Sequence, residues 1–176
     1  MRTAQLCQEF GLQVRYTVYP LHPDTPDAGM TLEELFAGRF DIDAMLARLR
    51  QVAAELDLPF GDRTHTYNSR RAQELGKWAE QQGGGSAFQD ATYRAYFVDG
   101  KNIAQVDVLA AIAAGVGLDT AEAERVLTEK CYSAAVDTDW QRARSMAITA
   151  VPTLLYDHRQ LVGYAPYEDF QKLVTG

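Results

Sequence analysis

Few residues of this chain are of a type and spacing that could do covalent chemistry. There are two cysteines, Cys7 and Cys131, in opposite halves of the 176 residues, and they form no Cys-x-x-Cys. Scattered cysteines fit a reducing compartment, where a buried thiol packs as a small apolar group. Sequence alone leaves open whether these two form a disulfide. The three histidines, His22, His65 and His158, make no ligand cluster with the cysteines, so no metal site is expected. Ser69 has no visible histidine–acid partnership, and Gly83-Gly84-Gly85-Ser86 is not followed by the Lys-Ser/Thr pair of a phosphate cradle. The candidates left are binding groups. Val151-Pro152 opens a short apolar run, and X-Pro is the one dipeptide in which a cis bond is cheap. His22 lies in a proline-rich loop, and Asn68 stands before a helical pattern, where capping a helix competes with contacting a ligand.

The elements that must position these residues follow from periodicity. Residues 2–10 read as a helix closed by Gly11. Leu12, Val14, Tyr16 and Val18 alternate with polar residues, the pattern of a strand. Pro20, Pro23 and Pro26 then forbid both helix and ladder. A helical block follows. Ile42, Met45, Leu46, Leu49, Ala53 and Leu56 repeat at helix spacing behind a capping Asp41. Ala72, Leu75 and Ala79 mark a helix from about 68, broken by the glycines at 83–85. Phe88, Ala91 and Ala95 mark a third helix, and Val106, Leu109, Ala110 and Ala113 a fourth. Asp119-Thr120-Ala121-Glu122 resembles a capping box opening a fifth, and a sixth runs over 129–147. Thr153–Tyr156 then reads as a strand, Asp157–Gln160 as a turn and Leu161–Gly163 as a return strand. A last helix behind Pro166 buries Tyr167, Phe170, Leu173 and Val174. Residues 1–30 and 148–176 therefore form one α/β domain, and 31–147 a helical insertion.

Composition narrows the partners. Net charge is −7 and no basic stripe carries interleaved aromatics, so nucleic acid is excluded as a partner. No apolar run approaches the roughly 18 residues of a membrane span, and Met1-Arg2-Thr3-Ala4-Gln5 opens no apolar signal core. A cytoplasmic protein is expected.

The order of segments resembles the DsbA-like branch of the thioredoxin superfamily, its FrnE-like members in particular. The resemblance is carried by Tyr19-Pro20-Leu21-His22-Pro23-Asp24-Thr25-Pro26 with Gly29 and by Asn68-Ser69-Arg70 with Ala72, Leu75, Trp78 and Ala79. It continues through Tyr93, Ala95, Tyr96, Phe97 and Asp99-Gly100, then Ala147–Thr153 around Pro152, and Gly163-Tyr164-Ala165-Pro166. It implies an α/β thioredoxin-like fold with a large helical insertion. It also implies that Pro152 is cis, and that Val151 offers its backbone to an extended thiol or peptide substrate, with His22 and Asn68 as further binding residues.

The family's Cys-x-x-Cys, which sits at the start of the first helix where the helix dipole lowers a thiol pKa, has no counterpart here. Cys7 falls too far along that helix to replace it. The first strand and the start of the first helix are thus missing from the resemblance, which leaves open ladders at 12–18 and 153–156. We expect a longer product to supply the absent segment, the alternatives being repacking or a strand borrowed from a second copy. The leading expectation is a thiol–disulfide oxidoreductase, inactive as this chain, with a thiol or disulfide protein or a small thiol as partner. A non-catalytic thiol- or peptide-binding module, self-associating as a homodimer, is a second reading. A glutathione-dependent isomerase or transferase of the kappa or hydroxychromene-carboxylate type is a third. No cofactor is expected other than glutathione.

Overall fold

A computed structural model describes residues 2–176, and its chain divides into two compact units. One comprises the residues up to Leu21 together with Asp137–Gly176; the other is His22–Val136.

The second unit is built almost entirely of helices. After β1 (Met30–Thr31) come α2 (Leu32–Phe36) and α3 (Ile42–Glu55), then β2 (His65–Thr66), which pairs antiparallel with β1. Next are α4 (Arg70–Gln81), α5 (Gly85–Phe97), α6 (Val106–Gly115) and α7 (Thr120–Thr128). Their apolar stripes converge on one core. Leu75, Trp78 and Ala79 of α4 meet Phe88 and Ala95 of α5, Leu109 and Ala113 of α6, and Ala123, Val126 and Leu127 of α7. Local signals start the helices as their chemistry requires. Asp41 Oδ1 accepts from the Ala44 amide at 2.9 Å, and Asp119 Oδ1 accepts from the Glu122 amide at 2.8 Å. The Asp119 motif is only half a capping box, because the Glu122 carboxylate is bound by Arg125 instead. The complete box is at α2, where Thr31 and Glu34 exchange both bonds. The break after α4 is Gly83, with φ of +76°; Gly85 already belongs to α5.

The first unit holds α1 (Arg2–Phe10), most of α8 (Ser133–Ser145), the hairpin of β3 (Thr153–Tyr156) and β4 (Arg159–Val162), and α9 (Tyr167–Thr175). β3 and β4 pair from Thr153↔Val162 to Tyr156↔Arg159. The return strand therefore begins at Arg159, and the turn is only Asp157-His158, not 157–160. One face of the hairpin packs through Leu154 and Leu161 onto Leu6, Ala165 and Phe170. The opposite face leaves Leu155 and Val162 exposed.

Residues 12–18 form no strand. Every residue from Gln13 to Thr17 is exposed, so neither face of the alternation is buried. A period-2 pattern becomes a strand only where a neighbour completes its ladder, and no described segment pairs with this one. Leu12 packs against the core of the unit. At the other end the Val18 amide donates to Asp139 Oδ2 of α8 at 3.0 Å.

Candidate functional site

The backbone at the start of β3 is unusual. The Val151–Pro152 peptide bond is cis. Around it the chain is tied down: the Gly163 amide donates to the Pro152 carbonyl at 2.8 Å, and the Thr153 hydroxyl donates to the Ala150 carbonyl at 2.7 Å. Val151 is different. The residue is 45% exposed, and its N–H and C=O have no protein partner among the described residues. β3 itself pairs only with β4, so its other edge is an open ladder among those residues. The arrangement offers an extended ligand a free backbone donor and acceptor, continued by a strand edge.

Neither thiol lies at this stretch in sequence. Cys7 is partly buried inside α1, and Cys131 is exposed between α7 and α8; both are free. Cys7 follows five residues of α1 from Arg2, beyond the first turn in which a helix dipole acts strongly on a thiol. Cys131 Sγ lies 3.9 Å from Arg125 Nη1 and 3.7 Å from Glu129 Oε2. The described residues contain no cluster of His, Cys, Asp and Glu that could hold a metal.

His22 and Asn68 belong to the second unit. Asn68 is fully engaged there. Its Nδ2 donates to the carbonyls of Pro23 at 3.1 Å and Thr25 at 2.7 Å, and its Oδ1 accepts from the Arg70 amide at 2.9 Å. It thus fastens the proline-rich loop to the start of α4. His22 packs edge-on against Phe36, and burial, then the nearby Arg63 charge, hold its pKa below the ordinary imidazole value. Sequence reading passed over Arg63. Its Nη2 donates to the Tyr96 hydroxyl at 2.6 Å, and its guanidinium lies 4.8 Å from the Tyr96 ring centroid and 5.5 Å from that of Phe97. The aromatic run at 93–97 was a visible signal; the arginine that covers it was not.

The family model of the DSBA-like thioredoxin domain matches residues 2–175. The chain belongs to that family. The uncharacterized protein YwbO of Bacillus subtilis (strain 168) is 28% identical over 99 residues, which are 56% of this chain and 50% of that relative. The chain therefore spans about half the length of the curated relative it matches. Among solved structures, the probable DsbA oxidoreductase SCO1869 from Streptomyces coelicolor is similar with a TM-score of 0.87 and 22% identity, over 99% of this chain and 80% of that one. A 2-hydroxychromene-2-carboxylate isomerase is similar with a TM-score of 0.73 and 18% identity, over 98% and 83%. The cytosolic disulfide reductase DsbM from Pseudomonas aeruginosa, solved with GSH, is similar with a TM-score of 0.61 and 21% identity, over 98% and 83%. At these identities the likeness shows the fold, a thioredoxin-like DsbA fold in which helices predominate. No helix among the described residues is long and apolar enough to cross a membrane.

Proposed function

We propose that this chain is the substrate-docking scaffold of a DsbA-like thiol–disulfide oxidoreductase, and that alone it does not turn over disulfides. The observation that carries the reading is Val151, exposed, with its backbone donor and acceptor both without a partner among the described residues at the head of a strand edge that is open among them, in a chain whose family model matches from residue 2 to 175. A thiol or disulfide protein, or a small thiol such as glutathione, would lie there as an added strand. In exchange of this kind a thiolate attacks one sulfur of the substrate disulfide and expels the other as a thiolate. A second thiol then resolves the mixed disulfide, leaving enzyme oxidised and substrate reduced. Neither Cys7 nor Cys131 is placed for the first step. The reading puts the protein in a reducing cytoplasm.

The test is turnover of insulin disulfides under dithiothreitol by the chain, alongside Cys7→Ser and Cys131→Ser. All three should match the rate without protein. Acceleration that either substitution removes would overturn the reading and give the chain thiol chemistry of its own.

The likeness to the isomerase favours a second reading, a glutathione-dependent isomerase or transferase, which needs no cysteine pair. Glutathione-dependent isomerisation of a hydroxychromene carboxylate by this chain would replace the first reading.

A further inference from the structure

In the helical unit, Asp62, Arg63, Thr64, His65, Tyr67, Tyr96 and Gly100 line a cavity of about 80 Å³. We propose that this cavity is a binding site for the carboxylate group of a small organic acid, with Arg63 as its anchor. The proposal is independent of the thiol reading.

The argument starts from the guanidinium. Arg63 is half-buried, and no carboxylate lies within 4 Å of it among the described residues. Its Nη2 is taken by the Tyr96 hydroxyl, and its Nε makes a long 3.4 Å contact to the His65 carbonyl. Nη1 has no protein acceptor among the described residues. A partly desolvated guanidinium without a counter-ion is uncommon, since burial penalises its charge. The surrounding contacts hold it in place. Its Cζ lies over the Tyr96 and Phe97 rings, and Tyr96 is tied in turn to Thr66 Oγ1 at 3.1 Å. The Thr64 hydroxyl and His65 Nδ1 are 2.9 Å apart, and the His65 ring stacks on Tyr67. The cavity is thus lined by two tyrosine rings, three hydroxyls, an imidazole and the Arg63 guanidinium.

Charge decides which anion. The acidic groups nearby are already engaged: Asp62 is bonded to Arg50 at 3.0 Å, and the Glu34 carboxylate is held by the Thr31 amide and hydroxyl. A planar monoanion matches one guanidinium edge. A phosphate would bring more negative charge than the Arg63 guanidinium offsets, with the Asp62 carboxylate in the lining opposing it.

The experiment uses the full ¹⁵N-labelled chain, titrated with sodium acetate, sodium propionate and inorganic phosphate against sodium chloride at equal ionic strength. Acetate or propionate should move the Arg63 Nε–H, Thr64 and His65 resonances saturably, while chloride does not. Arg63→Lys keeps the charge and loses the fork, and should weaken binding about tenfold or more. A short peptide with a free C-terminus, set against its amide, separates a peptide carboxylate from a free acid, and only the free acid should bind. Absence of saturable shifts, tighter binding of phosphate, binding of the peptide rather than the acids, or unchanged affinity in Arg63→Lys would each overturn the proposal. Because Arg63→Lys preserves the charge over the rings, its thermal melting midpoint checks that the fold is intact.

Discussion

Among the described residues the segment 12–18 pairs with no strand, and the Val18 amide at its end is held by Asp139. Asp139 is 2% exposed, and its Oδ2 accepts the Val18 amide at 3.0 Å. A hydrogen bond to a charged acceptor contributes about 1.5–3 kcal/mol. At 1.4 kcal/mol per tenfold, its loss in Asp139→Ala should speed local exchange of the Val18 amide roughly 10- to 100-fold. Asp139→Asn keeps an acceptor of the same shape without the charge and should give a smaller acceleration. Hydrogen exchange read residue by residue is the assay, with amides in the middle of α9 in the same unit as the internal reference. If α9 and Val18 accelerate together, the substitution has merely lowered global stability. If Val18 exchange is unchanged in Asp139→Ala, the idea that this carboxylate holds the segment is refuted.

Other outcomes follow from the same structure. Asp41→Ala removes the cap of α3 and should cost about 1 kcal/mol in urea unfolding. Phe88→Ala, at a site 1% exposed in the helical core, should cost about 3–5 kcal/mol in the same assay; a cost under 1 kcal/mol would mean that this core is not packed as described. His22 has a folded pKa lowered first by burial and then by Arg63. The unfolded chain therefore binds the extra proton first, and this contribution to stability is full above the ordinary imidazole value and lost as pH falls through the folded one. Arg63→Gln should raise the His22 pKa in an NMR titration. Tyr167 is pushed up to about 12, first by desolvation and then by its hydrogen bond to Glu9. Its contribution is present below the ordinary phenol value and fades as pH rises through 12, and Glu9→Gln should bring the ultraviolet titration of Tyr167 lower.

Much of this architecture was legible in the residues. The stripes through Leu75 and Ala79, or Leu109 and Ala113, state a helical period and a buried face together. Asp41 and Pro166 mark helix starts by local chemistry that needs no tertiary context. What failed was what depends on a partner. The alternation at 12–18 is as regular as that of any strand, yet alternation specifies a face and not a neighbour. Thr31-Leu32-Glu33-Glu34 carried a readable capping box, but α2 is too short for periodicity to reveal it. β4 began two residues early because a two-residue turn at Asp157-His158 sufficed. At the candidate site, Pro152 could be picked out because proline has few roles beside a strand. The Arg63 cavity could not, since Tyr96 and Phe97 reach Arg63 only once α5 has packed beside β2.

The measurement that bears most directly on the central claim is a ¹⁵N chemical-shift titration of the full chain with glutathione disulfide. Docking at the open edge predicts saturable shifts of the Val151, Thr153 and Leu154 amides, with no reduction of the ligand. Shifts confined to other residues, or none at all, would contradict it.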